Sequence, residues 1–238
     1  MHRSIDIDIT FDFRRDTPPG RDPDLLSPAL RAYHRFLWSK PLPGGSPFEL
    51  SASRPNAYLH HHSPLGEFFL ASDAVVPTFR KESRLASAIA QIPADEWESF
   101  MSLGYTIGGM MIFPANRVDR RMTINGARGF HPRIKDRFDL TVECIRRHYR
   151  AEKSPLSVTL SRYSAFFALF ESFEGYVDFF LLHDLVSPDF RSVRFFAPFD
   201  DFSSSPLPAD LKAYESYRKH AIAFLSARNA RIHRSHGS

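Results

Sequence analysis

A single cysteine, Cys144, stands in 238 residues, so the chain cannot close an intramolecular disulfide and carries no mark of an oxidising compartment. Lysine is scarce as well. Of the 31 basic residues 25 are arginine, which suits forked recognition of phosphate or carboxylate, although an arginine-biased genome gives the same count. Long apolar runs are missing: the longest are broken by Asp178, His183 and Asp184. The opening MHRSIDIDITFDFRRD alternates charged and apolar residues where a secretion signal would be continuous. The expectation is a cytoplasmic chain with no membrane partner. Neither G-x-x-x-x-G-K-[ST] nor G-x-G-x-x-G occurs, so no nucleotide fold follows from a fingerprint. Internal repeats and low-complexity tracts are absent too.

What is present is globular composition, 43% hydrophobic and 24% charged. A length of 238 residues fits one domain over 1–238, with a subdivision near residue 104 into a mixed strand and helix part (1–103) and a mostly helical part (104–238). Over residues 4–13, Ile5, Ile7, Ile9, Phe11 and Phe13 alternate with polar residues, the period of a strand with one wet face. Ser27 then caps a helix opened by Pro28, with Leu30, His34, Leu37 and Trp38 inward. Short β-prone stretches at 48–52, 57–61 and 67–71 read as an antiparallel meander. Helices follow at 82–91 and 93–102, and a buried strand over 105–113, ended by Pro114. Residues 134–150 make an amphipathic helix burying Ile134, Phe138, Val142, Ile145 and Tyr149. Further helices are expected from Ser154, over 176–186 and over 209–232, with a short strand at 193–196. Strands in front and helices behind give an α+β class. Eleven of the 23 phenylalanines fall between Phe166 and Phe202; spaced along helices beside Leu and Val, they read as core.

The strongest local anomaly runs from Arg117 to Arg137. Seven basic side chains (Arg117, Arg120, Arg121, Arg128, Arg133, Lys135, Arg137) stand against Asp119 and Asp136, a net +5 that exceeds the +4 of the whole chain. Asn125 with Gly126 favours a type I′ turn, Gly129 adds a second permissive point, and a helix opening near Pro132 would aim its positive end at the loop. Arginine forks, backbone donors and a helix terminus make a phosphate cradle, with Arg117, Arg120, Arg121, Asn125, Arg128 and Arg137 as anion ligands. The competing reading is a solvated loop whose arginines pair with distant carboxylates. His131 and His148 are the candidate acid or base. Cys144 and His148, four residues apart on one helix, have the spacing of a nucleophile and base, against a small buried thiol.

Other histidines carry weaker patterns. His60, His61 and His62, with Glu67 and Asp73 following, offer loose metal spacing; the alternative is polar residues ending a strand, and no metal is expected. His183 and Asp184 are similar to the paired ligands of HD phosphohydrolases. Arg228 to His233 resembles the short motif of HEPN ribonucleases, a six-residue match that an arginine-rich chain also produces by chance.

Four stretches together resemble an uncharacterised bacterial family, a domain of unknown function: DPDLLSPALRAYHRFLWSKPLP, YLHHHSPLGEFFLASDA, IFPANRVDRRMTINGARGFHPRIKDRFDLTVECIRRHY and GYVDFFLLHDLV. The resemblance covers nearly the whole chain and implies neither an activity nor a cofactor. The functional expectation therefore rests on the residues: nucleotide or nucleic-acid binding through the arginine-rich loop, extending to phosphoester chemistry. The alternative is a non-catalytic module docking an acidic protein partner.

Overall fold

Residues 6–55 and 57–236 are described by the computed structural model. Two proline-led helices organise the first part of the chain. Pro23 opens α1 (Pro23–Leu26) and Pro28 opens α2 (Pro28–Trp38), each at a first-turn position where its missing N–H is not needed. Ser27 serves both: its N–H bonds back to the Pro23 carbonyl, and its hydroxyl accepts from the Leu30 N–H at 3.0 Å. α2 buries Leu30, Tyr33, His34, Leu37 and Trp38, the face that the spacing predicts.

β1 (Lys40–Pro41) and β2 (Pro47–Phe48) form a small hairpin. The main sheet is an antiparallel meander, β3 (Leu59–Ser63), β4 (Gly66–Ala74) and β5 (Met110–Pro114), with β4 in the centre. Phe68, Leu70 and Ser72 alternate inward along β4, whereas β5 is buried throughout, as a strand covered on both faces must be. Between β4 and β5 lie α3 (Ala86–Ile89) and α4 (Ala94–Gly104). A 3-10 turn at Ile107–Gly109 then leads into β5.

The rest is helical: α5 (Ile124–Phe130), α6 (Phe138–Tyr149), α7 (Ser157–Ser161), α8 (Ser164–Ala168), α9 (Phe173–Phe180) and α10 (Leu211–His236). This is an α+β fold with its strands in the N-terminal half. One cluster of buried side chains runs from Ile7 to Ile232. Phe166, Phe167, Phe170, Phe179 and Phe180 pack with Tyr176 inside it, as core.

Several expectations need correction. Residues 4 and 5 of the first expected strand lie outside the described residues, and residues 6–13 pair with no strand among the described residues. Asp8 and Asp12 instead close local turns, accepting from the Thr10 N–H at 2.8 Å and the Arg14 N–H at 2.9 Å. Short acidic side chains compete with a ladder in this way. Asn125 and Gly126 form the first turn of α5 rather than a hairpin turn, because Thr123 caps that helix through the Gly126 N–H at 3.3 Å. And α6 begins at Phe138, so Ile134 is buried from the preceding turn, where Lys135 and Asp136 take positive φ. The stretch 193–196 contributes only a single bridge, Val193 to Val186.

Candidate active site

α1 is held in place by its own acidic residues. Asp22 caps it, accepting from the Asp24 N–H at 3.1 Å, and Asp24 turns its carboxyl onto the end of β4, where the Ala74 N–H donates to Oδ2 at 3.1 Å. Asp73, one residue back on that strand, ion-pairs with Arg128 of α5. Arg128 also meets Asp136 Oδ1 at 2.9 Å, the Asp136 carbonyl at 2.8 Å and the Thr141 hydroxyl at 3.3 Å. All of its nitrogens are thus matched by protein.

These carboxyls line a cleft of about 640 Å³, within the usual ligand-pocket range of roughly 300–1,000 Å³, with Asp24 and Asp73 at its floor. Phe79 and Tyr105 give it aromatic wall. Lys135 and Glu82 close part of the rim with a 3.1 Å ion pair. Arg21, Arg80 and Lys81 reach the rim exposed and without a side-chain partner among the described residues. Asp24 and Asp73 are thus half-buried in the lining, while at the exposed edge the cations Arg21, Arg80 and Lys81 stand with Asp22.

Burial pushes the Asp24 carboxyl up to about 7, helped by the neighbouring charges of Asp73 and Asp22. Asp73 is raised as well, to about 6, by burial; Arg128 opposes that rise and Asp136 adds to it. The two differ in partner: Asp73 holds a guanidinium directly, whereas Asp24 has only uncharged donors. Solvent reaches 22% of the Asp73 side chain, so a ligand in the cleft can touch it.

The arginines singled out by sequence do not come together in one place. Arg128 is 0% exposed, a strut for Asp73 and not a fork open to phosphate. Arg137 is buried against Asp139, with its NH1 on the Pro206 carbonyl at 2.9 Å. Asn125 reaches the Ser72 carbonyl at 3.5 Å. Arg117, Arg120 and Arg121 are exposed on a turn in which Asp119 and Arg120 take positive φ, apart from the cleft.

The candidate bases fare no better. His131 caps α5 and accepts from the Arg133 N–H at 3.1 Å; burial and Arg133 depress its pKa. His148 packs on Phe167 at 5.0 Å, its pKa lowered by burial, and the Cys144 thiol is pushed up to about 12, which leaves no thiolate for catalysis.

The weaker patterns resolve into structure. His60 pairs with Glu67 at 3.1 Å while His61 packs on Phe48 from the opposite face of β3. His183 meets Asp178 at 2.7 Å, and Asp184 takes two 2.8 Å bonds from Arg231. Arg228 is buried on the carbonyls of Gly108, Met110 and Phe180, far from the role of a phosphate ligand.

In the sequence Asp73 figures only in the loose metal set, and Asp24 in no site at all. The signal was there in Ser72-Asp73, a polar pair ending an apolar strand, and in His34, a polar residue on an otherwise apolar helix face.

A family model matches residues 7–232. The chain belongs to this family of unknown function, DUF6994. No curated protein and no solved structure matches it. Every residue that lines the cleft falls inside the span matched to DUF6994. Among the described residues, no helix of this DUF6994 chain is long and apolar enough to cross a membrane.

Proposed function

We propose that the cleft is the active site of an enzyme that works by general acid–base catalysis on a small phosphate ester bearing hydroxyl groups, of the nucleotide type. The observation that carries the reading is the pair Asp24 and Asp73 in the cleft lining, two carboxyls that burial pushes toward neutrality, of which only Asp73 has a guanidinium, Arg128, directly on it. Asp73, backed by Arg128, is the ionised partner that takes a proton from water or accepts from a substrate hydroxyl. Asp24 is the proton donor to the leaving oxygen. Arg80 and Lys81 meet the phosphate at the rim, and Phe79 and Tyr105 supply the apolar wall for a ring.

The test is a thermal-shift screen with nucleotides, sugar phosphates and inorganic phosphate, followed by turnover of any ester that binds. Asp24→Asn should abolish turnover while keeping binding, and Arg80→Ala with Lys81→Ala should weaken binding. If no phosphate-bearing compound raises the melting temperature at millimolar concentration, the reading fails.

A second reading, docking of an acidic protein, rests on the three exposed arginines of the turn after β5. It expects salt-sensitive binding to a polyglutamate probe, lost in the Arg117, Arg120 and Arg121 triple alanine variant and unaffected by Asp24→Asn.

A further inference from the structure

Behind Asp24 a line of polar groups runs into the core. His34 is completely buried on α2, in a face otherwise made of Leu30, Tyr33, Leu37 and Trp38. Its Nδ1 lies 3.0 Å from Trp38 Nε1, and its Nε2 lies 3.0 Å from the Ser72 hydroxyl. Ser72, 5% exposed, lies in turn 3.5 Å from Asp24 Oδ1.

The direction of every proton in this line follows from one group. An indole N–H can only donate, so Nδ1 of His34 must be the acceptor. Burial, reinforced by the Arg228 cation, presses the His34 pKa down to about 3, so the ring is neutral and its one proton sits on Nε2. That N–H donates to the Ser72 oxygen. The Ser72 hydrogen must then go elsewhere, and Asp24 Oδ1 is the acceptor in line. At 3.5 Å this is the longest contact of the line, the others being 3.0 Å.

We infer that Ser72 and His34 are positioning residues that turn the acidic proton of Asp24 outward, into the cleft. This inference rests on the acid–base reading of the cleft. A carboxylic acid has one O–H. The Oδ1 lone pair facing Ser72 is taken by an incoming hydrogen, and Oδ2 receives the Ala74 N–H. A proton on Asp24 therefore occupies a lone pair that faces neither donor. With the opposite His34 tautomer, Ser72 would donate to the ring and accept from Asp24, and the proton would be sealed in the core. Trp38 selects against that arrangement.

The charged and titratable groups around Asp24 are Asp22 on its own turn, Asp73 from β4, Arg128 from α5, and Tyr58 and Tyr105 from the neighbouring segments. Arg228 from α10 is the charge that acts on His34.

Two NMR measurements on the full chain test the inference. With ¹⁵N-labelled histidine, His34 is expected to show a protonated Nε2 and an unprotonated Nδ1 from pH 5 to 8. A protonated Nδ1 or a charged ring in the unaltered protein overturns the proposal, whatever any variant does. The second measurement is the carboxyl ¹³C titration of Asp24, assigned by its loss in Asp24→Asn. Removing a donor to the carboxylate favours the protonated form, so Ser72→Ala should raise the Asp24 midpoint by about half to one pH unit. Ser72→Thr, which keeps the hydroxyl, should restore it. An Asp24 midpoint near that of an ordinary aspartate in the unaltered protein sinks the acid–base reading itself. A raised midpoint that Ser72→Ala leaves in place sinks only the positioning role. Where Ser72→Ala fails to fold, Trp38→Phe decides: it should let both His34 tautomers appear and raise the Asp24 midpoint as Nδ1–H gains share, since Ser72 then donates to the ring. A mixed tautomer with the midpoint unmoved, or a tautomer that Trp38 does not select, overturns the chain of orientation from Trp38 to Asp24.

Discussion

A guanidinium cut off from water must find its partners inside, as Arg128 does. Asp73, Asp136 and Thr141 use its whole fork, and its Cζ lies 5.7 Å from the centre of the Phe113 ring. Arg128→Met should cost about 3–5 kcal/mol in urea unfolding, because it leaves Asp73 and Asp136 facing each other without a counter-charge. Arg128→Lys should recover little, since an ammonium cannot replace three differently directed donors. Arg120→Ala, on an exposed turn, should stay within about 0.5 kcal/mol. If the losses at Arg128 and Arg120 are equal, the pairing of Arg128 with its carboxylates is not what holds that part of the molecule. The arginine-rich loop was visible in the sequence as charge, but not as burial: composition counts the +5 and cannot say that Arg128 and Arg137 face inward. Asp24 escaped notice for the opposite reason, since it sits in a run of turn-forming residues whose polar character already had an explanation.

Elements that announce themselves through their own ends were the legible ones. Ser27 with Pro28 marks the start of α2 because the cap needs only local atoms, and the β3–β4 turn at Ser63 to Gly66 is marked by Pro64 and by a glycine at φ 138°. The alternation over residues 7–13 is equally clear, and Ile7 and Phe13 are buried as it requires while Asp12 is buried against it, yet a strand needs a partner edge and none comes among the described residues. Close approaches are also set from outside an element. At Gly109 an added Cβ would stand 2.0 Å from the Gly104 carbonyl oxygen, backbone that cannot swing aside. Gly109→Ala should therefore cost about 1–3 kcal/mol or more and loosen the passage from α4 into β5, read as faster amide exchange over Met110–Pro114. On α6, Phe138 is completely buried with its ring 6.1 Å from that of Phe224 on α10. Phe138→Ala should lose about 3–5 kcal/mol; a loss below about 1 kcal/mol would mean that the helix presents another face to the core.

At the scale of the whole molecule the cleft and the core are joined through two groups that folding perturbs in opposite senses. Asp24 has a folded pKa of about 7 against 3.8 for the free side chain, so the native state binds more protons than the unfolded chain between those values. Its contribution to stability is complete below about pH 4 and is lost as the pH rises through 7. His34 has a folded pKa of about 3 against 6.5, so there the unfolded chain binds more protons. Its contribution is complete above about pH 6.5 and is lost as the pH falls toward 3. Between about pH 4 and 6.5 the two slopes oppose each other, and substitution should separate them. Relative to the unaltered protein, Asp24→Asn should gain stability as the pH rises from about 4 to 7.5, by a few kcal/mol, since each tenfold difference in proton affinity between the folded and unfolded chain is worth about 1.4 kcal/mol. His34→Gln should carry a fixed loss from its broken hydrogen bonds, and that loss should shrink as the pH falls from about 6.5 toward 4. Urea midpoints measured at four or five pH values for the three proteins are sufficient. Difference curves that stay flat across the range would show that Asp24 and His34 titrate as they do in an unfolded chain. Curves that slope in these two directions would show that the fold spends stability at neutral pH to keep a protonated carboxyl at the floor of the cleft, which a site built for proton transfer requires and a merely structural acidic turn does not.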